Sequence, residues 1–213
     1  KITKYLENVR PVDAHNQNEL NLCMQAAKKL HTSGIRVAHS FDFRERIYHY
    51  QKLAEEKHGI LYRDYAEVFA MIEELLNNLD TMEKPSVLTH IDFVPDNLLT
   101  DGTEIRLIDW EYAGMSDPLA DIAAFAIYAY YENDELENLM RLYFERDAES
   151  EERIRIYSYV AVTGFLWALW TCYKEALGIT FDDYGLKMYR YAKEYYKKVK
   201  ILLSNAEGQV KRS

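Results

Sequence analysis

Residues 87–121 read VLTHIDFVPDNLLTDGTEIRLIDWEYAGMSDPLAD, and this stretch decides the fold. Ser86–Thr89, Asn97–Thr100 and Glu104–Ile108 are brief apolar runs of strand length, and Asp101-Gly102 between the last two is a hairpin turn signal. The pattern on either side is helical. The expected class is therefore mainly α with a few short β-strands, the strands being confined to about 86–110.

Working outward toward the amino terminus, residues 1–12 read as an extended segment anchored by Ile2, Tyr5 and Leu6. Asn16 and Glu19 have capping-box spacing ahead of Leu20, Leu22, Met24, Ala27 and Leu30, and Gly34 stops that helix. A second helix is expected over Arg44–His58, ending at Gly59. Asp64 and Glu67 repeat the capping-box spacing before Val68, Phe69, Ile72, Leu75, Leu76 and Leu79, the clearest helical periodicity in the chain.

Toward the carboxy terminus, Asp117-Pro118 reads as an N-cap with proline at the first helical position, opening a helix to about Tyr131. A further helix covers Asp134–Arg146. Glu151–Leu177 is apolar on most faces after Ile154, which implies burial, and Gly178 ends it. A last helix spans about Phe181–Leu203, leaving 204–213 as an expected disordered tail.

Length and apolar content, 213 residues at 48% hydrophobic, are those of one compact unit. A net charge of −9, with no extended basic run, argues against a nucleic-acid partner and favours cationic ligands. Cys23 and Cys172 lie far apart in apolar surroundings and read as reduced thiols of a cytoplasmic protein, neither a disulfide nor a zinc site. No charge-free apolar stretch reaches the roughly 18 residues of a membrane span, so no membrane insertion is expected.

His90-Ile-Asp-Phe-Val-Pro-Asp-Asn97 has the H-x-D-x-x-x-x-N spacing of a kinase catalytic loop, where the aspartate is the base and the asparagine a metal ligand. Twelve residues after Asn97, Asp109 follows Arg106-Leu107-Ile108 as the metal-binding aspartate of protein kinases follows an apolar strand. Each signal alone is weak, and Asp92 and Asp109 taken singly could be turn-capping carboxylates. Their order and their connecting hairpin make the pair strong. His90 reads as a residue that holds the loop.

With these motifs the chain resembles the choline/ethanolamine kinases, a branch of the aminoglycoside-phosphotransferase group with a protein-kinase-like fold. THIDFVPDNLL is similar to the catalytic loop of that group and LIDWEYAGMSDPLADIA to its metal-binding segment. FLWALW, residues 165–170, with Phe181 and Tyr184 beyond it, is similar to the F-L-W-x-L-W helix of choline kinases. The likeness extends over most of residues 1–200 and is least specific in the helices of 13–80.

The resemblance implies the carboxy-terminal lobe of such a kinase over 1–203, using ATP and Mg2+. Asp92 would be the base, Asn97 and Asp109 the magnesium ligands, and Glu111, Tyr112, Trp167, Trp170 and Tyr184 the pocket for the cationic head. His90 and Asp121 would support the loop. A quaternary ammonium cannot donate a hydrogen bond and is held by aromatic faces. Helical spacing alone would favour core packing for Trp167 and Trp170, three apart on a buried helix; the resemblance reverses that preference.

No Gly-rich phosphate loop and no Lys-bearing nucleotide strand precede Asp92, so a nucleotide lobe is expected to be absent and this chain alone to be inert. Three readings compete. The leading one is transfer of the ATP γ-phosphate to choline or a similar amino alcohol. The second keeps the chemistry and changes the acceptor to an aminoglycoside, homoserine, thiamine or a sugar. The third is a non-catalytic cation-binding module. A protein kinase fits less well, since no A-P-E segment follows Asp109.

Overall fold

Asn16 opens the first helix, α1 (Gln17–His31): its Oδ1 accepts from the backbone N–H groups of Asn18 at 3.0 Å and Glu19 at 3.2 Å. Glu19 does not complete a capping box with Asn16. Its carboxylate accepts from the Asp13 backbone at 2.8 Å and from both terminal nitrogens of Arg10 at 3.0 and 2.6 Å, tying strand β1 (Arg10–Pro11) to the helix.

The computed structural model describes residues 7–59 and 61–210; Ile2, Tyr5 and Leu6, the expected anchors, lie outside them. The remaining described helices are α2 (Phe43–Glu56), α3 (Tyr65–Thr81), α4 (Leu119–Tyr128), α5 (Asn133–Phe144), α6 (Ser150–Ala176) and α7 (Tyr184–Val210). The strands are β2 (Val87–Thr89), β3 (Leu98–Thr100), β4 (Ile105–Leu107) and β5 (Gly114–Ser116). The expected class, mainly α with a few short strands, is what the molecule shows. Among the described residues no helix is long and apolar enough to cross a membrane.

The strands form two small antiparallel sheets, β1-β3-β4 and β2-β5. In the hairpin Leu98 faces Leu107 and Thr100 faces Ile105, and Asp101 Oδ1 accepts from Thr103 N and Glu104 N to close the turn, with Gly102 at φ 94°. β5 went unanticipated because Gly114-Met115-Ser116 has no strand signature; it exists because it pairs antiparallel with β2, Leu88 facing Met115, and segment 39–41 lies along its other edge. Ser40 bridges Met115, and a Cβ on Gly114 would stand 3.0 Å from the Phe41 nitrogen.

Several expected boundaries move. Asp64 makes no side-chain cap on α3, because its carboxylate is taken by the Tyr189 hydroxyl at 2.9 Å and by the Lys193 ammonium. α4 starts one residue after Pro118, with Asp117 Oδ1 accepting from Leu119 N at 3.0 Å. α7 continues to Val210, past the expected end at Leu203. Ser204 bonds back to the Ile201 carbonyl at 2.9 Å, and the alanine, glutamate and glutamine beyond it are good helix formers.

The chain divides into two compact units, where composition alone suggested one. The first comprises Lys1–Phe41 and Ser86–Ala148, the second Asp42–Pro85 and Glu149–Ser213. In the first, α1 and α4 pack on α5, and Met24, Ala27, Phe93, Leu98, Ile122, Phe125, Leu139 and Met140 are all buried. In the second, α6 packs against α2, α3 and α7. Every residue of α6 from Ile154 to Leu169 is buried, as an all-round apolar helix requires.

Candidate active site

β2 ends at Thr89, and the chain then turns through Ile91 at φ 67°, a left-handed conformation rare for a β-branched residue. The Asp121 carboxylate holds this turn. Its Oδ2 accepts from His90 N at 2.9 Å and its Oδ1 from Ile91 N at 2.7 Å. Asp121 stands in the first turn of α4 and is 0% exposed, so its charge needs partners inside the protein. The third is His31 of α1, whose Nε2 lies 2.9 Å from Oδ2; with that nitrogen donating, Nδ1 accepts from the Tyr143 hydroxyl at 2.9 Å.

His90 is buried as well. Its Nε2 donates to the Ile108 carbonyl at 2.8 Å, and its ring lies 4.7 Å from that of Trp110. Trp110 in turn donates from Nε1 to the Leu107 carbonyl at 3.1 Å. The loop and the Asp109-Trp110-Glu111 segment are thereby tied together by ring contact and hydrogen bonds within one unit.

Asp92 is half-buried beside these groups. The Asn97 amide donates to the Asp92 backbone carbonyl at 3.0 Å and to its Oδ2 at 2.7 Å. Burial pushes the Asp92 carboxyl above the usual carboxylate range; the Asn97 bond and His90 pull it down, while Asp109 and Glu111 push it further up. Its carboxyl thus senses the charges of Asp109 and Glu111.

The hairpin explains why these groups meet. Ile108 N donates to the Asn97 carbonyl at 3.0 Å, extending the β3–β4 ladder by one pair, so Asn97 and Asp109 lie at the same end of it. Asp109 adopts φ 59° and is exposed; Glu111 is also exposed. Tyr112 is half-buried with its ring edge-on to Phe41 at 6.4 Å. Tyr128 donates its hydroxyl to Asp96 Oδ2 at 3.0 Å, and burial followed by that bond raises the phenol to about 12.

Among the described residues no group of three or more His, Cys, Asp or Glu could hold a metal ion. The amide of Asn97 and the carboxylate of Asp109 are hard oxygen donors. Two such ligands suit magnesium, which keeps its waters and takes phosphate oxygens for the rest, better than an ion needing a full protein cage.

In the second unit, Trp167 and Trp170 lie one turn apart on α6, their rings perpendicular with centroids 6.1 Å apart. Phe181 stacks obliquely on Trp170 at 4.8 Å. Trp167 is only 8% exposed and Trp170 is half-buried, so the second offers more surface. Tyr184 is the first residue of α7 and is half-buried.

Sequence reasoning missed His31, Tyr143, Trp110 and Tyr128. A signal existed for His31: it continues the buried face of α1 after Met24, Ala27 and Leu30, and a polar residue on such a face requires a buried partner.

Residues 6–157 match the model of a phosphotransferase enzyme family. Protein LicA of Haemophilus influenzae is 30% identical over 203 residues, covering 88% of this chain; the chain spans only 58% of that relative's length. The crystal structure of choline kinase LicA from Streptococcus pneumoniae superimposes with a TM-score of 0.78 at 29% identity, over 92% of this chain and 69% of that one. A choline/ethanolamine kinase family protein from Mesorhizobium loti gives a TM-score of 0.76 at 27% identity, over 94% and 69%. The fold is therefore protein-kinase-like.

Proposed function

Because the chain belongs to the phosphotransferase enzyme family, we propose that it carries the chemistry of a kinase moving the γ-phosphate of ATP to the hydroxyl of choline or a similar amino alcohol. The observation that carries the choice of acceptor is the Trp167–Trp170–Phe181 cluster, whose perpendicular and oblique rings suit a cation without hydrogen-bond donors. The names of the choline kinases of similar structure support it.

Asp92 is the base in this reading. Asn97 engages its Oδ2 and leaves Oδ1 to take the acceptor's proton. The O–H bond breaks, the oxygen bonds the γ-phosphorus, and the bond to the β-bridging oxygen breaks to release ADP. Asn97 and Asp109 are the residues that would hold Mg2+, which neutralises phosphate charge when bound. His90 and Asp121 keep the loop in its strained turn. Glu111, Tyr112, Trp167, Trp170 and Tyr184 are assigned to the acceptor. ATP as donor and the free buried thiols of Cys23 and Cys172 suit a cytoplasmic setting.

Calorimetry of choline against this chain and its Trp170→Ala variant tests the acceptor. Binding that weakens at least about tenfold in the variant supports it. Unchanged binding, or phosphotransfer by the intact protein that prefers an aminoglycoside or a sugar over choline and ethanolamine, would overturn it.

A further inference from the structure

Trp170 already faces a cation. The ammonium of Lys174, one turn further along α6, lies 5.4 Å from the Trp170 ring centroid and 5.9 Å from that of Tyr173. Lys174 is half-buried, and among the described residues no carboxylate pairs with it. A lysine in the last turn of a helix is favoured by the helix dipole. That explains a charge at this end of α6 but not its seat over an indole face.

We propose that Lys174 is a specificity-determining residue of the aromatic site, an internal cation that a cationic acceptor must displace from Trp170 or tolerate beside it. The proposal rests on the reading of Trp170 as a ligand face. Two like charges sharing one ring repel across a partly desolvated gap, where screening is weaker than in water. Lys174 then lowers affinity for a quaternary ammonium while leaving a neutral acceptor of the same shape almost untouched. The site discriminates less sharply for positive charge than its aromatic content suggests.

The test is calorimetry of this chain with choline and with its uncharged isostere 3,3-dimethyl-1-butanol, in the native sequence, Lys174→Met, Lys174→Arg and Trp170→Ala. Lys174→Met is expected to tighten choline about 3- to 10-fold and to change the isostere less than about twofold. Lys174→Arg, which keeps the charge, should stay near the native value and guards against a folding artefact in Lys174→Met. Equal gains for both ligands would mean that bulk and not charge is at work, and would overturn the proposal. Choline binding that needs Trp170 but ignores Lys174→Met overturns this inference alone; choline binding indifferent to Trp170→Ala overturns the acceptor reading beneath it.

Discussion

The imidazole of His31 and the carboxylate of Asp121 meet at 2.9 Å, with side chains 3% and 0% exposed, although 90 residues separate them. Asp121 uses its remaining capacity on the His90 and Ile91 amides, so His31 and Tyr143 stand behind the turn that presents Asp92. His31→Leu leaves a buried carboxylate short of one partner. We expect a loss of about 3 kcal/mol in urea unfolding together with reduced phosphotransfer. Tyr143→Phe, which removes the outer bond to His31, should cost about 1 kcal/mol.

The raised Asp92 carboxyl sets two pH effects. A carboxyl whose folded pKa exceeds its unfolded one binds more protons when folded, so stability falls as pH rises from about 3.9, the ordinary Asp value, through the folded value. Asp92→Asn should therefore raise the melting temperature at pH 7 and lose that advantage in acid, while lowering the kcat of the intact protein by about 10²- to 10⁴-fold. Equal melting temperatures at both pH values would contradict the assignment.

Glu111 is one source of that raised value. In Glu111→Gln the acid limb of the kcat profile should move to lower pH, since one nearby negative charge is gone. An unmoved limb would show that the Glu111 charge does not reach Asp92.

Glu19 titrates in the opposite sense. The Arg10 guanidinium, then the Asp13 amide, hold its carboxyl below the usual range. The stability it adds is present above the ordinary carboxylate pKa and lost as pH falls through the lowered one. Glu19→Gln is expected to lower the melting temperature at pH 7, with the gap to the native protein closing in acid.

Gly164 marks a close approach of α6 to α7: a Cβ there would lie 2.7 Å from the Met188 carbonyl and 3.1 Å from the Tyr191 Cβ. Backbone cannot yield as a flexible side chain would. Gly164→Ala gains helix propensity yet should lose about 1–3 kcal/mol by forcing α6 and α7 apart, measured by chemical unfolding.

The sequence by itself determined the helical class, the hairpin at Asp101-Gly102, the buried length of α6 and the spacing from His90 to Asn97. Periodicity, turn residues and motif spacing are local, so neighbours in the chain settle them. Asp64 shows the limit: it has the spacing of a cap, but the Tyr189 hydroxyl 125 residues away competes for the carboxylate and wins. Only the tertiary structure decided that β5 forms, that Trp110 covers His90, and that His31 and Tyr143 hold Asp121. The partner of a buried carboxylate is whichever donor the packing of distant helices brings to it, and that is written in no single stretch of sequence.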